Sequence, residues 1–327
     1  MIISRSPYRI SFFGGSTDYP AFYMKYGGGA VISTTINKYC YVTCRDLPRY
    51  FEVSNKFVWS KVELTNSYDE VEHPVIREGL RMLGFDKNPC LEIHHQGDLP
   101  ARSGMATSSA FAVSLLAALY AYKDLAYTPK VLAMQAIHLE RYRLKENVGD
   151  QDQYACAYGG FNHITFTGTA VNAHRAPCSK KTLTTLENNL MLFYTGGQRI
   201  ASVVAKDVID NIPKKVDVLN RMRSLTIEAY TLISKGKVDE FGNLLHTTWQ
   251  LKKQTSDVIT NPVLDDTYRR ARQAGALGGK LLGAGAGGFM LFYVPAKYQV
   301  TVIDALQDCK YVPFKFEDKG TVTWKLS

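Results

Sequence analysis

The chain has 327 residues and lacks several features that would decide its class at once. Its six cysteines, at 40, 44, 90, 156, 178 and 309, never form a Cys-x-x-Cys pair. No zinc ribbon or redox dithiol is therefore expected, and buried reduced thiols in a cytoplasmic protein are. No long hydrophobic run occurs. The longest apolar stretch, Ala110 to Tyr122, falls short of the roughly 20 residues that a membrane helix needs. The opening residues Met1-Ile2-Ile3-Ser4-Arg5-Ser6 lack the apolar centre of a secretory signal. The net charge of +9 is not gathered into a stripe. Lys252-Lys253 and Arg269-Arg270 with Arg272 are the densest clusters, and they lack the interleaved aromatics of a nucleic-acid groove. No repeat or low-complexity segment is visible. These gaps argue against membrane, nucleic-acid and secreted disulfide classes. They leave a globular protein whose basic balance suits an anionic small molecule or is simply a basic surface. The length predicts about two domains.

The pattern of elements predicts an α+β fold. Residues 1 to 12 read as a strand ending at Gly14-Gly15. Gly29 to Cys44 reads as a second strand, with Val31, Thr35, Tyr39, Tyr41 and Thr43 on one face. A hairpin over Phe51 to Leu64, a helix over His73 to Leu83 and a short strand over Cys90 to His94 follow. Helices are expected over Ser108 to Lys123 and from Thr128-Pro129 to about Glu146, and a strand over Phe161 to Phe166. The polar segment Ala173 to Thr185 is poorly patterned, which sets the expected domains at 1–172 and 173–327. Beyond it come a strand at Leu190 to Tyr194 and four helical stretches between Ile200 and Ala274. Gly278 to Leu282 and Phe289 to Val294 read as strands around a glycine cluster. A helix over Ala296 to Asp308 and two terminal strands finish the chain.

Four segments could carry chemistry. Gly97 to Phe111 is a small polar loop that runs straight into an apolar helix former. A helix starting there offers about four unpaired N–H groups and roughly half a positive charge, which suits a phosphate. No Gly-Lys-Ser/Thr follows Gly104, so it is not a Walker A loop. Pro7 to Pro20 places Arg9 in an apolar strand, where an unpaired charge would be costly, and Asp18 after a glycine turn. Both fit a structural pair as well as a functional one. Glu140 to Tyr154 carries two carboxylates, Glu140 and Asp152, on one helix-loop unit; these suit a cation ligand and a base, or a solvated surface. Gly278 to Phe289 contains Gly283-x-Gly285-x-x-Gly288. That formally matches a dinucleotide fingerprint, but Gly288 leads into a strand rather than a helix, which rejects that reading.

In this order the segments resemble the three signature motifs of the GHMP kinases, the superfamily of galactokinase, homoserine kinase, mevalonate kinase and phosphomevalonate kinase. Pro7-Tyr8-Arg9 to Thr17-Asp18-Tyr19 resembles the first motif. Pro100 to Ala110 resembles the phosphate loop Pro-x-x-x-Gly-Leu-Gly-Ser-Ser-Ala, and Leu282 to Gly288 the C-terminal glycine motif. The resemblance covers nearly the whole chain. It implies a two-domain fold, with a ribosomal protein S5 domain 2-like first domain and a ferredoxin-like second. Phe12 to Pro20, Val148 to Tyr154 and Tyr194 to Arg199 are similar to the bacterial heptose 7-phosphate kinase branch, and the kinase part of bacterial fucokinases is a competitor. The implied reaction is transfer of the γ-phosphoryl group of ATP to the anomeric hydroxyl of a sugar phosphate. A non-catalytic sugar and ATP sensor on the same fold is the rival reading.

The resemblance also implies roles. Asp152 is expected as the base and Arg9 as its charge partner. Gly104, Met105, Ala106, Thr107, Ser108, Ser109, Gly283 and Gly285 are expected to hold ATP. Mg2+ is expected on Glu140 and Ser108, with Ser109 as second choice. Gly14, Gly15, Ser16, Thr17, Asp18 and Gly196 are expected to contact the sugar. Arg102, Arg199 and Lys206 are candidates for its phosphate, or are solvated surface charges. Trp59 is a candidate for adenine. Ala106 stands where the family motif has a second glycine, and Thr107-Ser108-Ser109 offers three hydroxyls where two are usual. The expected partners are a small sugar phosphate and ATP, with no nucleic acid or membrane; a homodimer is left open.

Overall fold

The computed structural model describes residues 1–196 and 201–326, with the backbone alone at 201 and 202. β1 (Ile2–Phe13) and β2 (Gly29–Asp46) pair antiparallel along most of their length, and the short helix α1 (Pro20–Tyr23) lies between them in the chain. They form the spine of a nine-stranded sheet. The outer half of β2 alternates, with Cys40, Val42 and Cys44 buried while Tyr39, Tyr41 and Thr43 are only partly covered. Tyr39, Tyr41 and Thr43 thus form the outer face over Cys40, Val42 and Cys44, but Val31 and Thr35, expected on the same face, are fully buried, because β2 is covered on both sides over 29–36 and the register shifts before Tyr39. β3 (Asn55–Val58), β4 (Val62–Thr65) and β5 (Leu91–Gly97) extend the sheet, and α2 (Pro74–Met82) precedes β5.

Helix α3 (Thr107–Tyr122) is apolar on every side, and Ser109 to Leu119 are all buried. A helix that is hydrophobic all round belongs inside the core. It packs on β1, β2, α2, α4 (Pro129–Ile137) and α5 (Gln151–Tyr158). Its N-terminus is therefore held rigidly, which matters because the phosphate-type loop leads into it.

β6 (Asn162–Thr167) and β7 (Ala170–Arg175) form a hairpin on β2. After α6 (Lys180–Asn188), β8 (Leu190–Tyr194) begins a second antiparallel sheet. α7 (Ala201–Asn211), α8 (Val216–Ser234), α9 (Val238–Lys253) and α10 (Pro262–Gln273) follow, then β9 (Gly278–Leu281), β10 (Phe289–Tyr293), α11 (Gln299–Ala305) and β11 (Lys310–Tyr311). The strand order is β11, β8, β10, β9. The chain then returns: β12 (Phe316–Glu317) pairs with β2 and β13 (Val322–Lys325) with β1. This corrects the expected division at 172/173. That boundary cuts β7, and residues 316–325 lie in the first sheet, where β13 covers the open edge of β1 that would otherwise present unpaired N–H and C=O groups. The segment Ala173 to Thr185 looked unpatterned because β7 is a mostly exposed edge strand and α6 buries only Leu186.

Candidate active site

Two glycine-containing loops meet back to back. A side chain on Gly104 would strike the Leu282 carbonyl oxygen at 2.6 Å, one on Gly283 the Gly104 Cα at 2.3 Å, and one on Gly288 the Ser103 oxygen at 2.4 Å. The glycine motif near the C-terminus thus braces the phosphate-type loop from the second lobe. Gly104 and Ala106 both have left-handed backbones, with φ +82° and +63°. Ala106 keeps the conformation expected of the missing glycine and serves as N-cap of α3. The cost for an L-residue is roughly 1–2 kcal/mol.

Arg9 projects from β1 beneath this loop and is buried. Its Nε and Nη2 donate to the two carboxylate oxygens of Asp152 at 2.7 and 2.8 Å, and its Nη1 donates to the Gly104 carbonyl at 2.8 Å. The fork-to-fork pair fixes the Asp152 carboxylate in direction as well as position. A guanidinium has five donors. Three are used here, and Arg9 also lines the open cleft in front of the loop.

Glu140 enters from a π-helical turn, His138–Arg143, that continues α4. Such turns re-aim a side chain by widening the helix and are frequent at functional sites. The Glu140 carboxylate is completely buried. It accepts from Ser109 Oγ at 3.1 and 3.0 Å and from Gln153 Nε2 at 2.5 Å. Burial pushes its pKa up to about 8, with Glu146 and Asp152 adding to the rise. The donors hydrogen-bonded to it are neutral, so the site suits a divalent cation that would supply the missing positive charge. Among the described residues no three carboxylate, histidine or cysteine groups converge on one point. One carboxylate is nonetheless enough for magnesium, which commonly binds through one or two carboxylates plus phosphates and water. Ser109, not Ser108, is the hydroxyl on Glu140; Ser108 is exposed on the cleft wall.

Asp18 also lines the cleft, buried, in the turn after β1. Its carboxylate accepts from Ser16 N at 3.0 Å and Gln151 Nε2 at 3.0 Å. Burial pushes its pKa up to about 6, helped by the nearby Asp152 charge. A Cβ on Gly149 would sit 2.0 Å from Asp18 Oδ2, so a side chain there would push the carboxylate out of its place.

The cleft brings together Arg9, Gly15, Ser16, Asp18, Arg102, Gly104, Ala106, Thr107, Ser108, Ser109, Glu140, Asp152 and Gly283. Other expected residues do not face it. Thr17 is a turn lock whose hydroxyl donates to Gly14 O at 2.7 Å and accepts from Ala30 N at 3.1 Å, and Gly14 is pressed against Ala30 O. Met105 is in the core. Gly285 packs on Ile259, and Gly196 accepts from Gly288 N without lining the cleft. Lys206 is paired with Asp210 at 2.6 Å on the exposed side of α7, while Ala205 and Val208 face the cleft. Trp59 donates to Glu63 at 2.6 Å and stacks edge-on against His73, outside the cleft. Arg199 lies outside the described residues.

Among the cleft-wall residues to which sequence reasoning gave no role are Lys252, Lys280 and Gln151. In the sequence Lys252 stands in the Lys252-Lys253 basic pair. The signal was its spacing: Leu245, Thr248 and Lys252 recur at the buried positions of α9.

Two loops, a bidentate Arg–Asp pair, a buried carboxylate at a helix N-terminus and the two-sheet α+β frame define the class. The chain belongs to the GHMP kinases and is an ATP-dependent phosphotransferase with a sugar acceptor. The N-terminal domain pattern of that family matches residues 73–160 and the C-terminal pattern residues 229–310. The chain is 26% identical to a D-glycero-alpha-D-manno-heptose 7-phosphate kinase of Campylobacter jejuni, over 99% of both chains. It is 26% identical to an L-fucokinase/L-fucose-1-P guanylyltransferase of Bacteroides fragilis, over 91% of this chain and 35% of that longer protein. The crystal structure of a D-glycero-D-manno-heptose 1-phosphate kinase from Bacteroides thetaiotaomicron is similar over the full length of both chains, with TM-score 0.81 and 25% identity. Among the described residues no helix is long and apolar enough to cross a membrane.

Proposed function

We propose that the enzyme transfers the γ-phosphoryl group of ATP to the anomeric hydroxyl of D-glycero-D-manno-heptose 7-phosphate, giving the 1,7-bisphosphate. We place this work in the cytoplasm, as a step toward nucleotide-activated heptose for surface polysaccharide. The observation that carries the reading is the Arg9–Asp152 pair laid against the Gly104 carbonyl. It holds a carboxylate and spare guanidinium donors beside the loop where a terminal phosphate belongs. Full-length likeness to a heptose 7-phosphate kinase supports the choice of acceptor.

The loop from Gly104 to Ser109 and the N-terminus of α3 hold the nucleotide phosphates. Glu140 and Ser108 would hold Mg2+, with Ser109 fixing the Glu140 carboxylate; the ion would supply positive charge to offset that of the nucleotide phosphates. Asp18, Ser16 and Gln151 orient the sugar hydroxyls, and Arg102 at the cleft mouth meets the second phosphate. Asp152 takes the proton of the anomeric hydroxyl as its oxygen bonds to the γ-phosphorus. The bond from that phosphorus to the bridging oxygen breaks, and its electron pair leaves with ADP. Arg9 offsets charge on the transferring group, the kind of fixed electrostatic stabilisation that is typically the largest contribution to such catalysis.

A fucokinase-like reading is favoured by the 26% identity to the Bacteroides fragilis protein. The assembled Arg9, Glu140 and Asp152 speak against a non-catalytic sensor, which has no use for all three. Phosphorus NMR of the reaction with heptose 7-phosphate tests the proposal. A new anomeric phosphate signal beside an unchanged 7-phosphate signal is expected. ADP with no sugar product, or phosphorylation elsewhere on the ring, contradicts it.

A further inference from the structure

Lys252 and Lys280 are buried and line the cleft, yet among the described residues neither is hydrogen-bonded to a carboxylate. Lys280 reaches from β9 across to the end of β1, where Nζ donates to Ser11 O at 2.7 Å and Phe12 O at 3.2 Å. Lys252, in the last turn of α9, donates to Leu281 O at 3.0 Å and Gly283 O at 2.5 Å. An ammonium has three donors, so each lysine has one left. Gly283 touches Gly104, whose carbonyl Arg9 holds. Three basic side chains from β1, α9 and β9 therefore line one cleft, which Asp18 and Asp152 also line.

Burying a charge without a partner is expensive. Burial, then Arg9, pushes the Lys252 ammonium down to about 7, and Lys280 is driven well below its ordinary range by burial, Lys252 and Arg9. An apolar side chain would cost nothing of the kind in either position. Main-chain clamping alone does not explain two ammonium groups on the wall of a cleft. An arriving anion does, because it supplies the charge the cluster lacks.

We propose that Lys252 and Lys280 join Arg9 in a three-cation cradle that holds the phosphoryl group during its transfer. This rests on the cleft being a phosphoryl-transfer site, but not on which sugar accepts. The cradle stabilises charge on the equatorial oxygens, so it acts in the transition state more than in the binding of ATP.

The test is free of acceptor: binding of MgADP with and without aluminium fluoride, a mimic of the phosphoryl group in flight. Lys252→Gln and Lys280→Gln keep a donor for the main-chain carbonyls and remove the charge. Wild type is expected to bind MgADP at least about tenfold tighter with the fluoride. Each variant should lose most of that tightening, while its affinity for MgADP alone stays within about threefold. With any acceptor the wild type uses, kcat should fall about 100-fold per variant with the KM for ATP little changed. Retained tightening in both variants overturns the proposal, as does no tightening in wild type or an equal loss of MgADP affinity. Thermal midpoints separate these results from misfolding, and should only one variant fold, its tightening decides. Absence of turnover with heptose 7-phosphate would leave the fluoride result intact, so the two readings fail separately.

Discussion

Ala106 holds a left-handed backbone that a glycine would hold without strain. The neighbouring Leu282 and Gly283 backbones press on Gly104 from outside, so the loop keeps its shape whichever residue follows. Ala106→Gly should therefore stabilise the protein by about 0.5–1 kcal/mol, the relief of strain exceeding the added freedom of the unfolded chain. The melting temperature should rise by roughly 2 °C with activity kept; a drop would mean the methyl group's packing outweighs the strain. Asp18 makes a second residue-level prediction. Its pKa is raised in the fold, so its contribution to the stability of the empty protein is complete below the ordinary carboxylate range and lost as pH rises through about 6. In the proposed reaction acceptor binding needs the ionised form. Thus kcat/KM for the sugar should fall about tenfold per pH unit below that value, with the KM for ATP flat, and Asp18→Asn should remove this limb. A parallel fall for ATP would point to another group. Arg9 stood out in the sequence because a charge in an apolar strand demands a partner; Asp18, Glu140 and Asp152 stood out by their place after a glycine turn and on one helix-loop unit, and only the resemblance to the family motifs gave them roles. Lys252 and Lys280 were not, because their partners are main-chain carbonyls, which leave no trace in composition.

At the scale of elements, the informative unit is the start of α3 facing the π-helical turn. The sequence shows a helix from Thr128-Pro129 to about Glu146, and it cannot show that the last turn widens and swings Glu140 onto Ser109. The register of the three hydroxyls was equally hidden. Structure separates them: Ser109 is a buried partner of Glu140 and Ser108 is exposed on the cleft. Ser108→Ala should leave sugar affinity intact and lower kcat about 100-fold. Ser109→Ala should act more weakly on kcat and chiefly raise the Mg2+ concentration needed for half activity. Both are read from steady-state rates over a Mg2+ series, and the reverse order would shift the metal ligand by one position. Most strands and helices were legible from period and punctuation. β7 and α6 were not, since an edge strand and a helix burying one leucine carry little apolar pattern.

The whole molecule is closed by its own C-terminus. β12 and β13 pair with β2 and β1, and a side chain on Gly159 would strike Gly320 N at 2.2 Å, so the last segment is wedged into the first lobe. No local signal announces a return over some 300 residues of chain, which is why the sequence suggested two consecutive domains. Ending the chain after Tyr311 should expose two strand edges and abolish the cooperative melt of the first lobe, read by circular dichroism. An unchanged melt would restore the consecutive division. The same closure holds β1, with Arg9 and the turn to Asp18, against the loops of both lobes. In the proposed reaction this arrangement phosphorylates a sugar already carrying a phosphate. ADP release measured over a panel of free and 6- or 7-phosphorylated sugars tests it most directly, with Asp152→Asn as the inactive control. The highest kcat/KM is expected for heptose 7-phosphate, with turnover lost in the control. A clear preference for free fucose, or ADP release that survives in Asp152→Asn, would contradict it.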